Sequence, residues 1–430
     1  MLYERWRQIA DAHRDEIALR DLSSGLQWTF SKLATVAEER TGMGGTVAYV
    51  QGNGVDFIFS VLRAWHCRQV VCPLEASQAS PDCSPPLPAG IVHLKTTSAT
   101  TGEPRLVAFA AAQLMADADN IVSTMGLRSD WPNLGVISLA HSYGFSNLIL
   151  PLLLHGIPLI LAESPLPEML RRAAASEPAV TLAGVPALWR TWHEAKAISP
   201  SIRLAISAGA PLPLSLEQRV FAADGLKIHN FYGSTECGGI AYDAATQPRV
   251  DGASAGSPMR NVQLSVAEDG CLEVQGAAVG QTYWPEPDSN LQDGTFHTSD
   301  LAEISCGLVY LRGRAGDQIN IAGRKVSPEA IEKILLMHPQ VKDCLVFGVP
   351  SAEAERTEKI VACVVNHAAV SSDALRQFLL ERLPAWQVPR ECHFVDSLAI
   401  NERGKISRAQ WRKTFLASHR SELKARDVRH

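Results

Sequence analysis

The sequence predicts an α/β protein in which an alternating strand–helix region is followed by a β-rich subdomain and then by a compact α+β unit. Three observations carry that reading. Up to Tyr242, short apolar runs alternate with helical periodicities, the pattern of a mostly parallel sheet. Beyond Tyr242 the runs shorten and glycines separate them, as in β-rich folds. From about Gly316, helix, strand, strand and helix signals follow one another closely.

Taken in order, residues 1–66 read as a helix, a Gly44-Gly45 turn, a strand over 46–50 (TVAYV) and a helix over 57–65 (FIFSVLRAW). The stretch 76–90, ASQASPDCSPPLPAG, is rich in Pro and Ser and predicts a connector. A helix over 111–126 leads to a strand over 134–140, a helix around Phe145 and a strand over 158–162. The apolar run 145–162 contains Pro151, His155, Gly156 and Pro158, so it predicts helix, turn and strand rather than a membrane span. A helix over 167–175, a strand over 179–185, a helix over 186–195 and a strand over 202–209 ending in a turn complete the alternating region. Short strands at 262–268, 271–276, 301–305 and 307–313 make up the β-rich part. Helices over 328–338 and 373–383 enclose strands over 343–349 and 359–365, and the basic tail from Arg412, interrupted by Glu422 and Asp427, predicts a solvated terminal helix. No internal repeat is visible.

A chain of 430 residues, 46% hydrophobic, suffices for a sizeable core and two or three domains or subdomains. Forty Lys and Arg against 45 Asp and Glu leave a net charge of −5, without the basic excess that binding a nucleic-acid backbone requires. The nine cysteines are dispersed and never spaced CxxC, which argues against zinc and for a reducing, cytoplasmic compartment. The start, MLYERWRQIADAHRDEIALR, is charged throughout and lacks the apolar core of a signal peptide.

Chemistry concentrates in a few phrases. Residues 96–107, TTSATTGEPRLV, combine small residues, the hydroxyls of Ser98, Thr100 and Thr101, Gly102 and the positive Arg105. Freed backbone N–H groups and hydroxyls of this kind surround phosphate oxygens, although such a run is equally an ordinary polar turn, and the spacing is not that of a P-loop. In NFYGSTECGG, 230–239, Tyr232 offers a face for stacking on a base and Glu236 a carboxylate for Mg²⁺; a strand end with a surface glutamate reads the same way. SLAHSYGF (138–145), SAGAPLP (207–213), TSDLAEI (298–304), LRGRAGDQINIAGRKVSPEAIE (311–332) and NERGKISR (401–408) each admit a structural reading alone.

In their order and spacing, from about residue 45 to residue 408, these phrases resemble the ANL superfamily of adenylate-forming enzymes: acyl-CoA and aryl-CoA synthetases, peptide-synthetase adenylation domains and luciferases. The resemblance implies a large N-terminal domain, 1–315, of layered α/β subdomains with a β-rich subdomain at about 243–315, and a small mobile α+β C-terminal domain, 316–430, with the active site between them. It implies that Thr97, Ser98, Thr100, Thr101, Gly102 and Arg105 clamp the β- and γ-phosphates of ATP, and that Ser207, Gly209, Ala210, Pro211 and Tyr232 hold adenine. Asn230, Gly233 and Ser234 would line the nucleotide, Thr235 would meet the α-phosphate, Glu236 and Thr101 would serve Mg²⁺, and Asp300 and Arg314 the ribose. Lys405 would reach in from the C-terminal domain. His141, Ser142 and Tyr143 would border the acyl pocket and thiol tunnel, and Gly323 would approach that tunnel after the C-terminal domain rotates about a hinge at Gly316.

The chain departs from the family pattern at Ala99, where glycine is usual, at Arg105, where lysine is usual, and at Leu106, which replaces a common glycine. Gly316 stands where the hinge usually has Asp or Lys. Only about twenty residues separate VVCPLE from the phosphate loop, so a strand–helix portion of the N-terminal domain is expected to be missing. No aspartate adjoins SLAHSYGF to pair with an α-ammonium, which favours an acyl or aryl acid without an α-amino group. The implied activity is ATP-dependent formation of an acyl-adenylate and then a thioester with CoA, by a monomer or homodimer. Two alternatives stand beside it: loading of an acyl carrier protein's phosphopantetheine arm, and a catalytically impaired nucleotide- or acyl-binding protein.

Overall fold

The computed structural model describes residues 1–39, 44–83, 85–97, 105–351, 358–398 and 407–427. Strands Leu159–Leu161, Asn133–Gly135, Val180–Gly184, Ile202–Ser207 and Ile228–Ser234 lie side by side in parallel. Val180–Gly184 is buried along its whole length, which explains its continuous apolar run: helices cover both faces of a parallel sheet. The same sheet continues without a break into the β-rich part, where Gly238–Tyr242 turns back antiparallel to Ile228–Ser234 and is followed by Ser254–Pro258 and Leu308–Arg314. The phrases 207–213 and 230–239 therefore fall where a parallel sheet gives way to an antiparallel one.

A second sheet of five strands runs, in order, Thr282–Trp284, Leu106–Ala110, Ile91–Thr96, Val70–Leu74 and Val47–Gln51. Periodicity does not flag Ile91–Thr96 and Leu106–Ala110, an antiparallel pair whose connection is the phosphate-loop segment. The expected strand over 134–140 ends at Gly135. Beyond it the Ser138 hydroxyl donates to Glu75 Oε2 at 2.9 Å and Leu139 N–H to Asn53 Oδ1 at 2.6 Å, contacts that take the chain out of the sheet. Gly144 then packs so tightly on Ser138 that a Cβ would lie 1.9 Å from its carbonyl oxygen. The helix around Phe145 is not regular either: Phe145–Ile149 forms a π-helical turn leading into the α-helix Leu150–His155, an irregularity frequent at functional sites.

Residues Ile319 to Val388 build a separate core, with helices Pro328–Leu335 and Ser372–Leu380 against strands Val341–Pro350 and Glu358–Asn366. The helix Arg408–Asp427 covers the opposite sheet face through Trp411 and Phe415, so its first part is packed rather than solvated. Lys333 Nζ reaches Asp251 Oδ1 of the large part at 2.7 Å, and Arg190 approaches Asp343 at 3.8 Å. Among the described residues no helix is long and apolar enough to cross a membrane.

One buried charge pair ties the two sheets' elements together near the cleft. Lys95 Nζ lies 3.1 Å from Ser146 Oγ and 3.6 Å from Asp117 Oδ2, and both charged side chains are 3% exposed. Burial alone lowers the Lys95 pKa, and Asp117 opposes that shift. Removing one partner strands the other's charge, whereas replacing both is far cheaper. We expect Lys95→Met to cost about 3–5 kcal/mol in urea unfolding and Lys95→Met with Asp117→Asn to recover most of it; equal losses would contradict the pairing.

Candidate active site

A cleft of ≈ 3240 Å³ opens between the large part and the C-terminal unit. Its wall includes Thr97, Arg105, His141, Ser142, Tyr143, Gly209, Ala210, Pro211, Asn230, Tyr232, Gly233, Ser234, Thr235, Glu236, Asp300 and Arg314, from segments far apart in sequence. Ser207 is fully buried, and among the described residues its hydroxyl has no hydrogen-bond partner. Gly323, at φ +81°, belongs to the hairpin Ile319–Val326 away from the cleft lining. Gly316 lies in a 3₁₀ turn at Ala315–Asp317, and a Cβ there would meet nothing within 4 Å. Ser98, Thr100, Thr101, Gly102 and Lys405 lie outside the described residues.

Thr97 and Arg105 close the base of the phosphate-loop segment. Thr97 N–H donates to the Arg105 carbonyl at 2.8 Å and Arg105 N–H to Thr97 Oγ1 at 2.9 Å. The Arg105 guanidinium lies 3.6 Å from the centre of the Tyr283 ring and pairs with Asp288 Oδ2 at 2.9 Å. Such stacking suits a planar guanidinium better than the ammonium of the usual lysine.

Asp300 holds two neighbours of the cleft wall in place. Tyr232 donates its hydroxyl to Asp300 Oδ2 at 2.5 Å and Arg314 donates from Nε to Oδ1 at 3.1 Å. Asp300 and Arg314 face each other across the strand pair Thr295–Ser305 and Leu308–Arg314, which sets this geometry in the backbone register. Burial, then the Asp300 charge, push the Tyr232 phenol well above its ordinary pKa, so it remains a donor. Burial, the largest single influence, works against the Arg314 charge, but Asp300, Asp317 and Tyr232 together outweigh it and the pKa is raised. A carboxylate has about four lone-pair sites, so Asp300 keeps acceptor capacity for two ligand hydroxyls.

Glu236 follows a turn built to close tolerance. Its N–H donates to Ser234 Oγ at 3.2 Å, and its Oε1 accepts from the Tyr283 hydroxyl at 3.0 Å. Gly238, at φ +67°, leaves no room for a Cβ, which would lie 2.1 Å from Asp117 Oδ1, and Gly239 N–H donates to that oxygen at 3.2 Å. Glu236 is half-buried and contributes only hard oxygen donors, as does Thr235 beside it, the chemistry that suits Mg²⁺.

Buried charges also support the cleft lining. Arg249 bonds Glu217 Oε2 through Nε and the carbonyls of Leu212 and Ser254 through its two terminal nitrogens, each at 2.8 Å. Asn230 Nδ2 donates to the same Ser254 carbonyl at 3.1 Å, so Arg249 links the Gly209–Pro211 turn to the strand that carries Tyr232. His141 caps the short helix after it, its Nδ1 accepting from Tyr143 N–H at 3.2 Å. The Tyr143 hydroxyl donates inward to the Ile206 carbonyl at 3.3 Å, so its ring edge rather than its polar tip lines the cleft. Tyr283, Asp288, Asp117 and Arg249 escape motif reading, because each acts through a distant segment and stands in no distinctive phrase.

Residues 42–284, more than half of the chain, match the family model described as AMP-binding enzyme, and residues 330–405 match that of the AMP-binding enzyme C-terminal domain. The chain belongs to the AMP-binding, adenylate-forming enzyme family that its motifs resemble. It is similar to a feruloyl-CoA synthase of Amycolatopsis sp, 29% identical over 368 residues covering 80% of this chain and 74% of the relative. It is also similar to a probable 2-succinylbenzoate–CoA ligase of Mycobacterium tuberculosis, 29% identical over 336 residues covering 74% of this chain and 83% of the relative. In fold it is similar to ATP-bound MatB from Rhodopseudomonas palustris, with a TM-score of 0.85, 20% identity and coverage of 96% of this chain and 99% of that one.

The Gly238 geometry generates a prediction. Gly238→Ala adds about 1–2 kcal/mol of backbone strain to a clash with Asp117, and the Glu236 turn must move. Nucleotide affinity should fall at least about tenfold by calorimetric titration, an energy of about 1.4 kcal/mol. Parent-like affinity would mean that the turn can relax without consequence.

Proposed function

We propose that this protein is an ATP-dependent acid–thiol ligase that converts a carboxylic acid, acyl or aryl, to an acyl-adenylate and then to a CoA thioester. The observation that carries this reading is that Arg105 and Glu236, both held against Tyr283, and the Tyr232–Asp300–Arg314 group line one cleft. The names of the relatives, CoA synthase and CoA ligase, support the same chemistry.

In this reading Tyr232 and the Gly209–Pro211 turn hold adenine, Asp300 accepts from the ribose hydroxyls, and Arg314 holds Asp300 in orientation. Thr97 and Arg105, with Ser98, Thr100, Thr101 and Gly102 between them, hold the β- and γ-phosphates. A carboxylate oxygen of the substrate attacks the α-phosphorus in line, and the bond to the pyrophosphate oxygen breaks. Thr235 meets the α-phosphate, and Glu236, with Thr101, would hold Mg²⁺, which when bound neutralises charge on the pyrophosphate leaving group. Arg105 meets the same developing charge, where a cation already in position lowers the barrier. Lys405 supplies a point charge between the substrate carboxylate and the α-phosphate. In the second step a thiol sulfur attacks the adenylate's carbonyl carbon and AMP leaves, with His141, Ser142 and Tyr143 bordering the acyl group.

Both steps use one cleft if the unit 316–430 turns relative to 1–315 about Gly316, bringing Gly323 toward the thiol. Lys333–Asp251 and Arg190–Asp343 are partly exposed pairs, each worth about 0–1 kcal/mol, which is weak enough to exchange. Gly316 has open space and no side chain to bias either arrangement.

Acid-dependent pyrophosphate–ATP exchange over a broad acid panel tests the first step: at least one acyl or aryl acid should support exchange. ATP binding with no exchange for any acid would leave only a binding protein. Repeating the panel with CoA and with a holo carrier protein should give thioester with CoA; product with the carrier protein alone would reassign the acceptor. Lys405→Ala should depress exchange by about a hundredfold or more and spare thioester formation from supplied adenylate, whereas equal losses would remove Lys405 from the adenylation step.

A further inference from the structure

Strand Thr282–Trp284 lies at the edge of the five-stranded sheet, antiparallel to Leu106–Ala110, with Tyr283 opposite Val107. The approach to this strand is drawn against the metal-side turn. Gly280 N–H donates to the Glu236 carbonyl at 2.7 Å, and a Cβ at Gly280 would lie 2.6 Å from Val107 Cγ1 and 3.1 Å from that carbonyl oxygen. Tyr283 consequently stands between the two charged groups of the phosphate side. Its hydroxyl donates to Glu236 Oε1 at 3.0 Å and its ring lies 3.6 Å under the Arg105 guanidinium. The side chain is 7% exposed, and burial, then the Glu236 charge, raise its pKa so that the phenol stays protonated.

We propose that Tyr283 is the positioning residue that couples the cation-binding carboxylate to the phosphate-binding guanidinium. The proposal rests on the reading of Glu236 as the Mg²⁺ carboxylate. The terminal torsion of a glutamate is broad, so an unsupported carboxylate presents its oxygens in many orientations. With Oε1 engaged by Tyr283, Oε2 is the oxygen held toward a cation, and no donor reaches it among the described residues. Hydrogen bonds to a ligating group of this kind typically carry about 10–100-fold in metal affinity. The same ring carries Arg105 by cation–π stacking, which favours guanidinium over ammonium and gives a physical reason for arginine at this position. Asp288 closes the arrangement, its carboxylate orienting the guanidinium from the side.

The test is a paramagnetic titration of Mn²⁺, in Mg²⁺'s place, into the full-length protein saturated with α,β-methylene-ATP. Metal-free nucleotide affinity and thermal midpoint are measured in parallel. Tyr283→Phe should weaken Mn²⁺ binding about tenfold or more while nucleotide affinity without metal is unchanged, because the ring under Arg105 remains. Arg105→Lys should do the reverse, weakening nucleotide and sparing Mn²⁺. Tyr283→Leu should lose both. Tyr283→Phe that binds Mn²⁺ like the parent would overturn the proposal. Glu236→Gln separates the two levels: if it leaves Mn²⁺ binding intact, Glu236 is not the ligand and the underlying reading fails. If Glu236→Gln weakens Mn²⁺ and Tyr283→Phe does not, only the role of Tyr283 falls.

Discussion

In and beside the turn that carries Glu236 an extra carbon atom would clash at Gly233 and Gly238 and be crowded at Gly239, and the rest of the site is arranged around that restriction. A Cβ at Gly233 would lie 2.6 Å from the Gly238 carbonyl oxygen, one at Gly238 2.1 Å from Asp117, and one at Gly239 3.0 Å from Met259. Asp117 is itself fixed by the Ser146 hydroxyl at 2.6 Å and by Lys95. Through these contacts the turn is joined to the strand Ile91–Thr96 and to the π-helical turn Phe145–Ile149. Close packing leaves such a contact set little freedom to deform gradually, so the geometry of Glu236 is held by the core rather than by its exposed neighbours.

Rigidity on that side contrasts with the light attachment of the C-terminal unit. The large part and residues Ile319 to Val388 have separate apolar cores. Partly exposed ion pairs join them, and the cleft lies between them. A rigid wall with a weakly held opposite wall suits the two-step use of one cleft proposed above. Charge placement fits the same division: Arg105 and Asp300 are oriented by neighbours on their own side, so a movement of the small unit need not disturb them.

Much of the architecture was legible in the sequence because it rests on local signals. The apolar run of Val180–Gly184, the Pro186-led helix behind it and the glycine-separated strands after Tyr242 all follow from propensity and periodicity. The motif residues that line the cleft were legible through the order and spacing of their phrases along the chain. What escaped depends on partners distant in sequence. The strand over 134–140 ends early because Glu75 and Asn53 capture its continuation. The Phe145 helix is irregular, and no local residue announces a π turn. Tyr283 touches residues 47 and 178 positions before it, and nothing local marks such a pairing.

The central claim is that a substrate carboxylate oxygen forms a bond to the α-phosphorus of ATP in this cleft. An acid that supports turnover, labelled with heavy oxygen in its carboxylate, tests this most directly when the products are resolved by mass spectrometry after complete conversion with CoA. The account predicts one labelled oxygen in AMP and none in pyrophosphate. Unlabelled AMP with the heavy oxygen in orthophosphate or pyrophosphate would contradict it, because the acid would then have been activated by attack at another phosphorus.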